Sequence, residues 1–304
     1  MKTKEQTNSV LTAWVILFLL SLIWGSSFIL IKKSLVAFSP QEVGAGRIAI
    51  SFLAFTPLFF YQFKKIDWSK FWPLLVVGLF GSALPAFLYA TAQTEIPSAI
   101  AGLLNALTPI FTFILSILAF GISFSWRQLL GITLGFIGTA IIFLGQNEVT
   151  GSLPLVMGLL LVLASLCYGI SANTVKSYLG NVHPLMLSTV SFVLIGPWML
   201  IYLLKTDFIY NIQTHPEGHM SLLALLTLSL IGTFGANIIF FRLVQLTDAV
   251  FASSVSFLTP IVAFGWGVMD GESFSIAFFI SLILIFTGVI LVKFKKDDRI
   301  QNTI

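Results

Sequence analysis

Long runs of apolar residues, separated by short polar turns, make up almost the whole chain. Each run is close to the ~20 residues that an α-helix needs to cross the hydrocarbon core of a bilayer. The apolar residues do not alternate with polar ones, as they would in the strands of a membrane β-barrel. The pattern therefore predicts about ten transmembrane helices, at residues 11–31, 43–62, 72–92, 97–119, 128–146, 153–175, 185–204, 221–243, 248–269 and 274–293.

The composition supports an integral membrane protein and excludes several other classes. Of the 304 residues, 57% are hydrophobic and only 9% are charged, whereas about 25% are charged in a typical soluble domain. So few charges cannot cover a soluble fold of this size, which excludes a soluble enzyme, a disordered chain and a nucleic-acid binder. The single cysteine, Cys167, allows no intrachain disulfide and no cysteine-based metal site. The predicted fold class is an all-α polytopic membrane protein.

The distribution of Lys and Arg predicts the orientation of these helices. With a cytoplasmic N-terminus, 12 of the 16 basic residues fall on the cytoplasmic side and 4 on the other side. Cytoplasmic loops carry an excess of Lys and Arg, so this placement is the favoured one. We therefore expect both termini in the cytoplasm. The short loops favour the inner membrane of a bacterium.

The second half of the chain repeats the first. Residues 21–40 align without a gap on residues 165–184, 144 positions later, with seven identities. Residues 101–113 align on residues 252–264 at a spacing of 151, and a third block aligns at a spacing of 150. Three ordered blocks at nearly one spacing indicate an internal duplication. Paired residues include Gly25 with Gly169, Ser27 with Ser171, Pro109 with Pro260, and Gly138 with Gly288.

The number of helices in each half determines how the halves are related. Five is odd, so the second half enters the membrane from the opposite side. A pseudo-two-fold axis in the membrane plane then relates the halves, which is the inverted-topology repeat of secondary carriers. We predict a first five-helix repeat at residues 1–147 and a second at residues 148–304, with no soluble domain. Two equivalent halves of opposite direction suit transport by alternating access.

Several short motifs follow one another in an order that resembles one family of carriers. The run SLIWGSSF ends the first predicted span, Arg47 lies in the second, LTPIFTF (107–113) in the fourth and FLTPIVA (257–263), with a later Gly271–Glu272, in the ninth. Together they resemble the EamA family of the drug/metabolite transporter superfamily over essentially the whole chain. The resemblance implies transport of small metabolites, often amino acids, through a central cavity without an ATPase. The first half departs from the family pattern, because it reads Gly121–Ile122 where the family has Gly-Glu.

Three asparagines lie deep in the apolar runs and are candidates for a substrate cavity. An unpaired amide is costly in hydrocarbon, so Asn105, Asn173 and Asn237 are expected to face the interior of the bundle. There they either contact the substrate or hold neighbouring helices together. Ser256 is the repeat equivalent of Asn105 and shares this interpretation.

Aromatic residues on four spans form two pairs that are equivalent under the repeat. Trp24 corresponds to Tyr168 and Tyr89 to Phe240. Symmetric aromatic side chains at matching depths either wall a cavity and stack on an apolar or aromatic solute, or serve ordinary packing. The predicted cavity residues are Trp24, Ser27, Tyr89, Asn105, Tyr168, Asn173, Asn237, Phe240 and Ser256.

Two prolines lie near the middle of the fourth and ninth predicted spans. Pro109 and Pro260 each lack a backbone N–H, which leaves the carbonyl four residues earlier without its helical hydrogen bond. Those carbonyls belong to Asn105 and Ser256. We interpret the prolines as hinges beside the cavity. The alternative is a simple kink that a neighbouring helix satisfies.

Arg47 is a charged residue just inside the outer end of the second predicted span. Its guanidinium is a candidate contact for a substrate carboxylate, which it can bind bidentately. Alternatively, it reaches the lipid headgroups or pairs with Glu42. Because water and headgroups can replace a charge at a span end, we expect substitution of Arg47 to lower transport less than loss of a mid-membrane aromatic residue.

The residues indicate a carrier rather than a catalyst. The sequence shows no catalytic nucleophile–base pair, phosphate-binding loop or metal-ligand cluster, so we expect no enzyme and no cofactor. The predicted function is secondary-active transport of a small organic metabolite, an amino acid or a similar apolar or aromatic solute. The alternatives are a carrier of phosphorylated metabolites or nucleotide sugars, and a membrane-embedded protein that is not a transporter. The expected partners are the solute and the lipid bilayer, while coupling to H⁺ or another ion, and a monomer or a homodimer, stay open.

The orientation can be tested with reporter fusions. A reporter fused after Ile304 should be active on the cytoplasmic side, and one inserted beside Glu217 should be active on the opposite side, because the distribution of basic residues sets the topology. Localisation of both reporters to the same side would contradict the count of ten spans.

Overall fold

The structure is a computed structural model, and it describes residues 4–123, 125–144, 154–269 and 276–292. The regular elements in these ranges are all helical, as the sequence predicts. The boundary expected between residues 147 and 148, the Gly271–Glu272 pair and the C-terminal residues 293–304 lie outside the described residues. The α-helices are α1 (Lys4–Ser34), α2 (Pro40–Gln62), α3 (Phe71–Gly78), α4 (Leu84–Ala92), α5 (Ser98–Asn105), α6 (Thr108–Leu118), α7 (Trp126–Leu144), α8 (Leu155–Tyr178), α9 (Pro184–Leu203), α10 (Phe208–Thr214), α11 (Gly218–Ser229), α12 (Ala236–Leu246), α13 (Ala249–Ser253), α14 (Val255–Met269) and α15 (Ile276–Val292).

Four of the predicted spans are not continuous α-helices. A π-helical segment at Leu79–Ala83 joins α3 to α4, and another at Leu230–Gly235 joins α11 to α12. The fourth predicted span is interrupted between α5 and α6, and the ninth between α13 and α14. The short helix α10 lies in the linker between the predicted spans 185–204 and 221–243.

Within the described residues, seven helical stretches are long and apolar enough to cross a membrane, judged by length and composition. Two further apolar helical stretches, Ala249–Val262 and Phe279–Val292, are shorter. The count of ten spans therefore stays a prediction. The seven long stretches are Val10–Ser34, Pro40–Lys65, Trp68–Ala92, Ile100–Leu118, Leu155–Tyr178, Pro184–Leu203 and Gly218–Leu246.

The start of α2 shows how a local motif fixes a helix end. Ser39 and Glu42 form a capping box, in which the Glu42 carboxylate accepts hydrogen bonds from the Ser39 backbone N–H at 2.8 Å and from its hydroxyl at 2.9 Å. These bonds satisfy backbone donors that would otherwise lack partners at the helix terminus. The suggested pairing of Arg47 with Glu42 is therefore wrong, because Glu42 is buried in this cap.

The helices pack with the pairing expected of two equivalent repeats. The second helices, α2 and α9, pack against each other, and so do the fifth helices, α7 and α15. The first helix of each repeat crosses to the other repeat: α1 packs against α11, α12 and α14, and α8 packs against α3, α4 and α6. Each contact thus has a counterpart when the halves are exchanged, which confirms the two-repeat fold.

Individual atoms reproduce the same relation. A Cβ added to Gly25 on α1 would lie 2.6 Å from the Cβ of Val262, so α1 and α14 approach closely there. A Cβ added to its equivalent, Gly169 on α8, would lie 3.3 Å from the carbonyl carbon of Phe111, which is the equivalent of Val262 at the spacing of 151. The glycines matched in the sequence therefore serve the same helix crossing in both repeats.

Glycines also bring the backbones of α7 and α15 close together. A Cβ added to Gly288 would lie 2.6 Å from the carbonyl oxygen of Gly131 and 2.6 Å from the backbone nitrogen of Gly135. Both neighbours are backbone atoms, which cannot move aside as a flexible side chain could. Small residues of this kind let two membrane helices approach until their backbones touch.

We expect Gly288→Ala to destabilise the protein by about 1–3 kcal/mol, the usual effect of overpacking a close contact. Gly158→Ala on α8 is the matched control, because a Cβ there would meet nothing within 4 Å and Ala is the better helix former. Thermal unfolding of both variants in detergent measures the difference. Equal midpoints for the two variants would argue against the α7–α15 contact.

Candidate substrate site

A cavity lies between the two repeats and is lined by residues of both. About 770 Å³ of space there is free of protein atoms, including space open to solvent. Asn173, the ninth residue predicted for a cavity, is not among the described residues that line it. The eight predicted residues that do line it are Trp24, Ser27, Tyr89, Asn105, Tyr168, Asn237, Phe240 and Ser256.

The aromatic residues lie in two contacts that the repeat exchanges. The ring centroids of Trp24 and Phe240 are 5.1 Å apart, and those of Tyr168 and Tyr89, their equivalents, are 6.2 Å apart. Trp24 also donates its indole N–H to the carbonyl oxygen of Gly232 at 3.0 Å. Each ring pair joins a first helix of one repeat to a third helix of the other repeat, so the cavity has an aromatic wall on either side of the axis.

The amide oxygen of Asn105 already accepts two hydrogen bonds. The Tyr89 hydroxyl donates to Asn105 Oδ1 at 2.9 Å, and the Thr108 hydroxyl donates to the same oxygen at 3.3 Å. The amide nitrogen makes no hydrogen bond with the described residues. Asn105 therefore offers the cavity a hydrogen-bond donor rather than an acceptor.

The other two asparagines differ in their surroundings. Asn237 lines the cavity and donates from its amide nitrogen to the Ser82 hydroxyl at 3.5 Å. Asn173 is fully buried between helices, where its amide nitrogen donates to the carbonyl oxygens of Thr112 at 2.9 Å and Gly169 at 3.0 Å. Asn173 thus joins α8 to α6, which is the helix-bonding alternative considered for these amides.

Arg47 is one of the described residues that line the cavity, and its side chain is partly buried. Its Nε donates to the Thr233 hydroxyl at 2.6 Å, and this hydroxyl in turn donates to the Leu228 carbonyl oxygen at 3.2 Å. The guanidinium also lies close enough to the Tyr168 hydroxyl to interact with it electrostatically. Among the described lining residues, Arg47 is the one with a formal charge, and none is an Asp or Glu.

The two π-helical segments beside the cavity were not predicted. They begin at Leu79 and Leu230, which are 151 positions apart and therefore equivalent. Segments of this type are frequent at functional sites. The signal available in the sequence was a Gly-Ser at 81–82 and a Gly-Thr at 232–233, at the same spacing inside two apolar runs.

Each π-helical segment brings a glycine against a serine of the other repeat. A Cβ added to Gly81 would lie 2.4 Å from the Ser171 hydroxyl oxygen, and one added to Gly232 would lie 3.0 Å from that of Ser27. Ser171 lines the cavity and is only 2% exposed, and its hydroxyl has no partner in the described residues. Ser171 is therefore a cavity hydroxyl that the sequence analysis missed.

The prolines occupy different places in their helices. Pro109 is the second residue of α6, just after the interruption at 106–107, whereas Pro260 lies inside α14, six positions after the turn at Ser254. The carbonyl oxygen that Pro260 leaves free, that of Ser256, accepts a hydrogen bond from the Thr259 hydroxyl at 3.0 Å. The two sites are equivalent in sequence but not in the detail of the backbone.

Comparison with known proteins decides the family. The model of the EamA-like transporter family matches residues 11–144 and again residues 155–294. The chain belongs to the EamA-like transporter family. The family model matches each half of this EamA chain separately, which agrees with the internal duplication inferred from the sequence. The protein is accordingly a multi-pass membrane transporter of small metabolites.

Relatives of this EamA protein carry transporter names. An "Uncharacterized transporter in trpA 3'region" of Buchnera aphidicola subsp. Schlechtendalia chinensis is 28% identical over 90% of this chain and 92% of that protein. A "Probable amino-acid metabolite efflux pump" of Escherichia coli (strain K12) is 24% identical over 90% of this chain and 92% of that protein. An "Uncharacterized transporter" of Archaeoglobus fulgidus is 28% identical, but the match spans 63% of its length and 60% of this chain.

A solved structure supports the fold of the EamA chain. One crystal structure superposes with a TM-score of 0.69 over 92% of this chain and 95% of that chain, at 20% sequence identity. At this identity the likeness concerns the fold alone.

Proposed function

We propose that the protein is a secondary-active carrier that moves a small organic metabolite bearing a carboxylate by alternating access. The observation that carries the proposal is Arg47 in the central cavity. Its charge has no acidic partner among the described lining residues, and an unpaired charge is costly inside a membrane protein. A substrate carboxylate would supply the missing partner through the guanidinium N–H groups that Thr233 leaves free.

The arrangement of the repeats supports alternating access. Both repeats line the cavity, and the contacts of α1 and α8 with the other repeat are counterparts of one another. Inverted repeats around a central site allow two facing states of similar packing. We extend the proposal to cytoplasmic termini and a bacterial inner membrane, on the distribution of basic residues alone.

The lining also weighs against the two alternatives. A phosphorylated metabolite carries about two negative charges, which one guanidinium cannot balance, and the described lining residues add no lysine. They also include no His, Cys, Asp or Glu that could serve as a catalytic base. The name of the Escherichia coli relative, which refers to an amino-acid metabolite, is compatible with a carboxylate-bearing substrate.

Transport measurements on Arg47 variants test the proposal. In proteoliposomes screened with labelled amino acids and carboxylic acids, at least one carboxylate-bearing solute should accumulate saturably. Arg47→Gln should lower its uptake by about tenfold or more, because removing one partner of a desolvated charge pair costs a few kcal/mol. The span-end argument for a small effect does not hold for a residue that lines the cavity.

Arg242→Gln is the matched control, since Arg242 is an exposed arginine on α12, and it should retain uptake. Wild-type uptake by Arg47→Gln, or accumulation restricted to solutes without a carboxylate, would overturn the proposal.

We also propose that Pro109 and Pro260 act as hinges for the two opposite gates. Pro260→Ala restores a backbone N–H that can bond to the Ser256 carbonyl inside α14, and Pro109→Ala restores one at the start of α6, beside the interruption at 106–107. Turnover should then fall more than binding affinity, and probe cysteines at the two mouths of the cavity, in a Cys167→Ser background, should change accessibility in opposite directions. The two variants should show opposite patterns. The same accessibility pattern in Pro109→Ala and Pro260→Ala would contradict the hinge proposal and indicate that both prolines are structural kinks.

A further inference from the structure

We infer that the transported metabolite is a net anion, a monocarboxylate with an apolar or aromatic body and without an ammonium group. The inference rests on the proposed function and narrows its substrate class. It separates carboxylic acids from the zwitterionic amino acids that share the same carbon skeleton.

The first argument is charge balance. Arg47 contributes one positive charge to the cavity, and the described lining residues contribute no negative charge. A monoanion brings this balance to zero. A zwitterion would leave the sum at one positive charge and would place its ammonium in the same desolvated space as the guanidinium, where like charges repel strongly.

The second argument is the balance of hydrogen-bond donors and acceptors. The amide nitrogen of Asn105 and the hydroxyl of Ser171 have no hydrogen-bond partners among the described residues, and Arg47 retains N–H groups beyond its bond to Thr233. The amide oxygen of Asn105 already accepts two hydrogen bonds. The cavity therefore offers free donors beside the guanidinium charge. The acceptors that remain in the lining, the Asn237 amide oxygen and the serine hydroxyls, are neutral groups and supply no negative charge for an ammonium.

The third argument concerns the aromatic rings of the cavity. The ring planes of Trp24 and Phe240 are tilted by 57° with centroids 5.1 Å apart, and Tyr89 lies 5.8 Å from Phe28 and 6.2 Å from Tyr168. Such rings are suited to contact a flat or apolar body. They account for the apolar or aromatic body of the anion and add no group of negative charge.

Matched ligand pairs test the inference. The full chain in lipid nanodiscs is titrated calorimetrically with 3-phenylpropanoate and L-phenylalanine, which share one skeleton and differ by the ammonium, and with 4-methylpentanoate and L-leucine. The acid of at least one pair should bind about tenfold or more tightly than its amino acid, because an ammonium without an acidic partner is costly to desolvate. Arg47→Gln should remove this binding, and Arg242→Gln should retain it.

A nearly isosteric substitution gives a second readout. Asn105→Asp keeps an oxygen for the Tyr89 and Thr108 hydroxyls but adds the carboxylate that the cavity lacks. It should weaken binding of the acid and strengthen binding of the amino acid, so the ratio of the two affinities should fall by about tenfold or more. An unchanged ratio in a folded Asn105→Asp protein would count against the inference.

Two outcomes separate the inference from the proposed function. Binding of the amino acid as tightly as the acid, still abolished by Arg47→Gln, overturns the monoanion inference and leaves the carboxylate carrier intact. Absence of binding for all four compounds also overturns the inference. The carrier of carboxylates itself is overturned by wild-type uptake in Arg47→Gln, or by transport restricted to solutes without a carboxylate.

Discussion

The need to satisfy every backbone hydrogen bond away from water shapes this protein. Inside lipid that need is met by continuous helices, and irregular backbone is tolerated only where protein or a cavity surrounds it. The two π-helical segments, at Leu79–Ala83 and Leu230–Gly235, lie beside the central cavity. Hydroxyl groups supply bonds at such sites: Thr233 donates to the Leu228 carbonyl, and Thr259 donates to the Ser256 carbonyl. The polar character of the cavity and the irregular backbone around it therefore have one cause.

Close approach of helices is the second requirement, and the duplication meets it twice with the same residues. Gly25 and Gly169 each allow a first helix to cross a fourth helix of the other repeat. These crossings also bring the ring pairs of the cavity together, because each pair joins a first helix to a third helix of the other repeat. A single packing solution, inherited by both halves, thus builds the scaffold and the aromatic walls of the cavity.

The sequence predicted the helical class, the duplication and about half of the described residues that line the cavity. Those inferences rest on long patterns and on the expectation that polar groups in apolar runs face inward, which holds for Asn105 and Asn237. The sequence could not distinguish these two residues from Asn173. An asparagine that bonds two helices and an asparagine that lines a cavity both appear as a polar residue within an apolar run. The sequence left open whether Arg47 contacts substrate, because its bond to Thr233 joins residues 186 positions apart in the sequence. The two π-helical segments were not predicted, because the only local signal, a Gly-Ser and a Gly-Thr inside apolar runs, is also compatible with a regular helix.

Some features of the cavity occur in both repeats, and others occur in one repeat alone. The glycine crossings and the aromatic pairs have counterparts in both repeats, which is the symmetry that the proposed alternating access requires. Arg47 has no such counterpart, since the residue 144 positions later is Ser191, which is 1% exposed and donates to the Leu74 carbonyl at 3.0 Å. In the proposed carrier, movement between the two facing states would depend on the packing that the repeats share. Recognition of a carboxylate would depend on Arg47, the charge that one repeat alone brings to the described lining of the cavity.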